Sequence, residues 1–373
     1  MSKKEGSRAA ARLNYIVEGK GPRVALVHGV GGVMRNVMRN PMRLLRTAVW
    51  SIAAVLLLSG RSGAEENAIK IGRSYSLGFL PAMVMEEYKL VEKHAQVTQL
   101  RDLKVEWINF AGAAAENDAL LAGSVAFTGN GAPALNILWD KTRGGIQVRG
   151  VGALNSGSQL LNTRNPNVKS IRDFTDKDKI AMPAVKVSIG AILLQMEAAK
   201  QFGEANRNRL DPFTVTLSHP DAMAALFSNS EINAHYALEP YSSRELKRPG
   251  VHTVLNSDDT LGGQGTLNVY LTTSKFRQEN PKIYSAFLNA LREADEIIYR
   301  DERRAAELYV SKSKGFTVDE IYDLIHNKIV RFTVTPENTM KYADFLYKSG
   351  TLKQRPSSWK DLFFPEIHDL SGS

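Results

Sequence analysis

The chain contains no cysteine among its 373 residues. That absence excludes disulfides, thiolate metal sites and cysteine nucleophiles, and forbids no compartment, oxidising or reducing. No Gly-x-Ser-x-Gly occurs anywhere, so the strand–turn–helix elbow of a serine α/β-hydrolase is missing as well. A surplus of one charge sign is also lacking over most of the chain. The net charge of +9 arises in residues 1–64, which hold 11 of the 48 Lys and Arg but 2 of the 39 Asp and Glu. The remainder carries 48 − 11 = 37 basic and 39 − 2 = 37 acidic side chains. A phosphate-binding surface is therefore not implied, and nucleic acid is not an expected partner.

The basic N-terminal segment has its own logic. Arg35, Arg39, Arg43 and Arg46 precede an uncharged run from Thr47 to Leu58, and Ser62-Gly63-Ala64 follows. A basic region, a short apolar run and a small-residue exit are the parts of a secretory signal peptide. The run falls short of the roughly 20 residues that span a bilayer. Residues 34–64 read as a signal peptide cleaved near Ala64, which places the mature chain in the periplasm. Upstream, Leu13–Gly32 resembles the first strands of an α/β-hydrolase ending in a His-Gly turn. With no nucleophile elbow to serve, residues 1–33 read as a misassigned or non-native extension, disordered and without catalytic meaning.

From Ala68 short β-rich runs alternate with helical patterns, the signature of an α/β architecture with a largely parallel sheet. Strands are expected at 68–72, 105–110, 125–128 and 148–154. Gly129-Asn130-Gly131 and Asn155-Ser156-Gly157-Ser158 read as turns. Helices are expected at 81–91, 112–122, 188–202 and 221–227, and one opens at Ala132-Pro133. The pattern restarts at Gln159, and a loose stretch from Asn256 to Gly265 precedes another strand. Two breaks bracketing a domain-sized insert are what two hinge crossings produce. Lobe one is then 65–157 with 266–373, and lobe two is 158–265. The tail is helical, with Ile283, Phe287, Leu291, Ala294 and Ile298 on one stripe and a capping box at Thr317–Glu320. Thr335-Pro336-Glu337 is expected to open a further helix that ends at Gly350.

Several local patterns stand in a recognisable order. They are Tyr75-Ser76-Leu77-Gly78; Phe110-Ala111-Gly112 with Ala119-Leu120-Leu121-Ala122-Gly123; Val125-Ala126-Phe127 with Gly129 and Pro133; Ser170-Ile171-Arg172-Asp173-Phe174; and Glu239-Pro240-Tyr241. In these the chain from about Ala68 to Asp344 resembles the nitrate, sulfonate and taurine branch of periplasmic solute-binding proteins. Ser124-Val125 departs from the Asp that the family often has there. The resemblance implies a type II periplasmic-binding-protein fold, two α/β lobes joined by a two-strand hinge with a ligand cleft between them. It also implies a small-molecule solute, an ABC permease with its ATPase subunit as partner, no cofactor, and a monomer.

In open α/β sheets, ligands lie beyond the carboxyl ends of strands, where helix N-termini favour an anion without any metal. Applied here, that rule selects Ser74, Tyr75, Ser76, Phe110, Gly112, Asn130 and Gly131 from lobe one. From lobe two it selects Lys186, Val187, Ser188, Ile189, Glu239 and Tyr241, with Asn155 and Ser156 at the hinge. Each has a plainer reading. Ser74 and Ser188 serve equally as N-caps, Asn130 as a residue tolerating positive φ, Lys186 as a solvated cation and Tyr75 as core. Glu239 either pins the hinge or, facing the ligand, favours a cationic or amine-bearing solute instead of an anion. His219 and His235 show no metal-ligand spacing. The competing functional classes are an enzyme of the same fold, a remnant hydrolase fusion and a regulator's effector domain. The regulator would need a helix-turn-helix where the export signal stands.

Overall fold

A computed structural model describes residues 65–373 other than 111 and 229, so the signal-peptide and N-terminal extension readings lie outside the described residues. The described chain builds two sheets flanked by helices. The first contains β1 (Ala68–Arg73), β2 (Lys104–Asn109), β3 (Phe127–Gly131) and β4 (Val148–Gly157). The chain then crosses into β5 (Leu160–Thr163), β6 (Ile180–Met182), β7 (Thr214–Thr216), β8 (Ala234–Ala237) and β9 (His252–Asn256) of the second. It returns to the first with β10 (Gly265–Thr273) and β11 (Val330–Phe332). The strand orders are β11-β4-β10-β3-β1-β2 and β7-β6-β8-β5-β9.

The sheets are mixed rather than largely parallel. β1 pairs in parallel with β2 and β3, and β6 with β7 and β8. The strands next to the crossings, β4, β10, β5 and β9, pair antiparallel. The parallel half of each sheet carries the strand–helix turns that meet between the lobes.

Two expected turns are strands. Gly129-Asn130-Gly131 forms the end of β3, with Asn130 opposite Val269 of β10. Asn155-Ser156-Gly157 forms the end of β4, with Ser156 opposite Thr266 of β10 and Arg331 of β11. Ladder pairing with residues more than a hundred positions away outweighs the local turn preference of Asn, Ser and Gly. Gly129 shows why a side chain is absent there. A Cβ would lie 2.4 Å from the ring of Phe79.

Other boundaries shift for local reasons. The expected helix at 81–91 is two, Leu80–Glu87 and Leu90–Val97, separated by Lys89 at φ 50°. The loose stretch at 256–265 holds a short helix, Ser257–Leu261, capped by the Asn256 side chain. Thr335-Pro336-Glu337 does not open a helix. Glu337 accepts from Arg331 and its main chain pairs with Thr266, so the helix begins at Thr339. The stripe on Pro281–Arg300 is buried as its spacing requires, and Phe287 stacks on Phe127 of β3 at 3.9 Å between centroids. The Thr317–Glu320 capping box is present.

Candidate functional site

Four strand-to-helix turns converge between the lobes. From lobe one come Gly112, the N-cap of helix Ala113–Leu121, and Gly131, the N-cap of helix Ala132–Thr142. From lobe two come Ser188, the N-cap of helix Ile189–Phe202, and His219, the first residue of helix His219–Phe227. Each N-terminus presents main-chain N–H groups and the positive end of a helix dipole. Together with Ser74, Tyr75 and Ser76 after β1, they line a narrow cavity of about 40 Å³. Phe79, Ala113, Glu116, Asn130, Gln159, Pro183, Ile189, Leu238 and Asn268 complete the lining.

The sequence-selected residues divide accordingly. Ser74, Tyr75, Ser76, Gly112, Asn130, Gly131, Ser188 and Ile189 line the cavity, and Phe110, Asn155, Ser156, Lys186, Glu239 and Tyr241 do not. Lys186 sits exposed at φ 68°. Phe110 packs under Gly72, where a Cβ would lie 2.8 Å from its ring. Asn155 accepts from the Asn268 amide at 2.9 Å, and Ser156 is fully buried in β4. The Glu239 carboxyl turns to Ser243, accepting from its hydroxyl at 2.8 Å and its N–H at 3.2 Å; burial holds this carboxyl above its ordinary range. Tyr241 stacks on His219 from behind, and burial raises its hydroxyl to about 12.

Plainer roles are filled at some lining positions. The Ser188 hydroxyl accepts from Ala191 N–H, and Asn130 is extended rather than left-handed. Asn130 donates to Ala113 O and Asn117 Oδ1 and accepts from Gly131 N–H, so its polar atoms are engaged.

The residues that sequence reasoning passed over are the polar ones. Glu116 stands one turn along its helix from Gly112 and so shares its face, a placement that helical spacing alone would have supplied. It is 2% exposed with Oε1 unpartnered, and burial raises its carboxyl well above the usual range. Gln159 lies one step past the Asn155–Ser158 cluster. Its amide donates to Tyr236 O, while Oε1 has no partner.

His219 and His235, unremarkable in sequence, meet at 2.8 Å between Nδ1 and Nε2. His235 Nδ1 lies 2.5 Å from Glu245 Oε1, and Asn162 donates to Glu245 Oε2 at 3.0 Å. Glu245, His235 and His219 thus form a buried hydrogen-bonded chain whose last ring lines the cavity. Burial and the neighbouring His235 push His219 well below its ordinary range, which keeps its ring neutral.

No protein-family model matches the chain. It is 26% identical over 322 residues to the putative aliphatic sulfonates-binding protein of Bacillus subtilis (strain 168), covering 82% of this chain and 90% of that protein. Among solved structures it resembles the alkanesulfonate-binding protein SsuA from Xanthomonas axonopodis pv. citri. The TM-score is 0.61 at 18% identity, over 79% of this chain and 96% of that one. It also resembles the periplasmic nitrate-binding protein NrtA from Synechocystis PCC 6803, with TM-score 0.60, 15% identity, and coverage of 80% and 84%. These relatives are binding proteins rather than enzymes. The chain has the two-lobed periplasmic-binding-protein fold and is similar, in sequence and in structure, to the sulfonate- and nitrate-binding branch of that group.

Proposed function

We propose that the chain is the extracytoplasmic solute-binding receptor of an ABC importer, capturing a small solute by hinged closure of the lobes and delivering it to a permease. The observation that carries this reading is a narrow cavity between two lobes, ringed by helix N-termini from both. Such a ring suits an anionic group on the solute. The likeness to proteins named for aliphatic sulfonates and nitrate supports the same class. Ligand binding better to the closed form would shift the population toward it.

Two measurements test this. Expressed from its full gene, the protein should appear in the periplasm beginning near Glu65; an intact cytosolic form starting at Met1 would refute export. A solute that binds only the native state stabilises it by about 2.7 kcal/mol at a hundredfold excess over Kd. One member of a set of nitrate, alkanesulfonates, aminosulfonates, carboxylates and amino acids should therefore raise the melting temperature by roughly 5 °C. No shift with any member would sink the receptor reading.

A further inference from the structure

The helix N-termini account for an anionic group, but they leave the cavity's side chains unexplained. No Lys or Arg is found among the described residues lining it. Arg73, one residue before Ser74, is held away by Glu86 at 2.8 Å and by Asn109. What the side chains offer is hydroxyls, from Ser74, Tyr75, Ser76 and Ser188, and two oxygens of Glu116 and Gln159. Glu116 Oε1 and Gln159 Oε1 are buried without partners, as is the Ser76 hydroxyl, which can donate as well as accept. Leaving a buried acceptor unpaired costs stability. A simple anion offers the Gln159 oxygen no donor, whereas a group with several N–H donors satisfies both Gln159 and an ionised Glu116.

We propose that Glu116 recognises a protonated amine on the solute, with Gln159 accepting another of its N–H donors. The inference deepens the receptor reading and rests on it. Its chemistry is that of a buried carboxyl awaiting a counter-charge. In the empty protein burial favours the neutral acid. When the ammonium enters, the carboxyl releases its proton to solvent and a buried ion pair forms. Amine binding therefore expels one proton, and affinity rises with pH until the empty-state carboxyl ionises by itself. The other ionisable groups on the cavity or beside Tyr270 of β10 are His219, the exposed Tyr75, Tyr270 itself and the Arg73–Glu86 pair. Burial pushes the Tyr270 hydroxyl far up, Arg73 is paired with Glu86, and His219 is held neutral, so none of them mimics this profile.

The test pairs probes that differ only in the amine: taurine against ethanesulfonate, and β-alanine against propionate, with nitrate as the bare anion. Isothermal titration of the purified protein should find one aminated probe binding at least about a hundredfold more tightly than its partner. Glu116→Gln should weaken that probe at least about tenfold and leave the unaminated partner little changed. Should the variant fold poorly, the wild-type pH profile decides by itself: affinity for the aminated probe must climb with pH.

Equal binding of the unaminated partner or nitrate overturns the inference, as does undiminished binding by Glu116→Gln. Affinity that falls with rising pH also overturns it, because a protonated Glu116 would then be donating to an anion. In those cases the receptor reading stands. Binding by no probe of either kind counts against both.

Discussion

Gly112 and Gly131 lie where the two lobes touch. A Cβ at Gly112 would lie 2.7 Å from the Pro183 carbonyl oxygen, and one at Gly131 would lie 2.6 Å from Cγ1 of Ile189. A side chain such as Ile189 can turn aside, but a main-chain carbonyl in the opposite lobe cannot. The backbone at Gly112 is extended, at φ 175°, so alanine brings no conformational strain of its own. Its effect should fall on closure alone. Gly112→Ala is expected to weaken solute binding at least about tenfold, near 1.4 kcal/mol. The melting temperature of the empty protein should stay within about a degree of wild type. Unchanged affinity, measured by titration, would mean that this contact does not form when solute is bound.

At the scale of elements, the hinge is two crossings bound to each other. As the first leaves β4, Gln159 N–H donates to the Ser257 hydroxyl at 2.9 Å, and Ser257 N–H donates back to Gln159 O at 2.9 Å. Ser158 reaches Asp258 at 2.8 Å from the neighbouring position. The short helix Ser257–Leu261 thus ties the return crossing to the outgoing one, where a loop was expected. Ser257 is fully buried, so Ser257→Ala should leave the Gln159 N–H without a partner and cost about 1–2 kcal/mol. Urea denaturation followed by tryptophan fluorescence reads this directly. A midpoint indistinguishable from wild type would show that water reaches the vacated position. Gln159 also lines the cavity, so the same variant couples hinge stiffness to the site.

Across the whole molecule, the lobes are also joined on a charged edge. Glu320 of helix Val318–His326 in lobe one meets Arg244 and Lys247 of lobe two, the latter at 2.7 Å. Partial burial pulls the Glu320 carboxyl upward, but Lys247, the Thr317 N–H and Arg244 outweigh it and hold the group at about 2 against an ordinary 4.5. A carboxyl depressed in this way contributes stability that is full above about 4.5 and is lost as pH falls toward about 2. Both partners remain partly in solvent, so screening limits the pair to about 1 kcal/mol. Small-angle scattering should show the lobes separating over that window in wild type. Glu320→Gln should be more open at pH 7, by the same ~1 kcal/mol, and insensitive to acid. A wild type whose radius of gyration is flat through the window would remove this edge from the closure.

Much was legible without coordinates, and the reason is locality. Periodicity placed the stripe from Ile283 to Ile298, and a four-residue signature placed the Thr317–Glu320 cap. The rule that ligands lie beyond strand ends led to Ser74–Ser76, Gly112, Gly131, Ser188 and Ile189, all of which face the cavity. The same rule overreached at Lys186, Glu239 and Tyr241, because direction within a turn depends on neighbours distant in sequence. Only the tertiary structure decided that Asn130 and Ser156 are strand residues, since their ladder partners come from β10 and β11. Only it brought His219 against His235 and set Glu116 and Gln159 on one cavity from opposite sides of the hinge. The sequence by itself determined the strand–helix alternation, the absence of thiol chemistry and the charge balance. Which polar atoms stand free to meet a solute depended on long-range pairing, which no local pattern encodes.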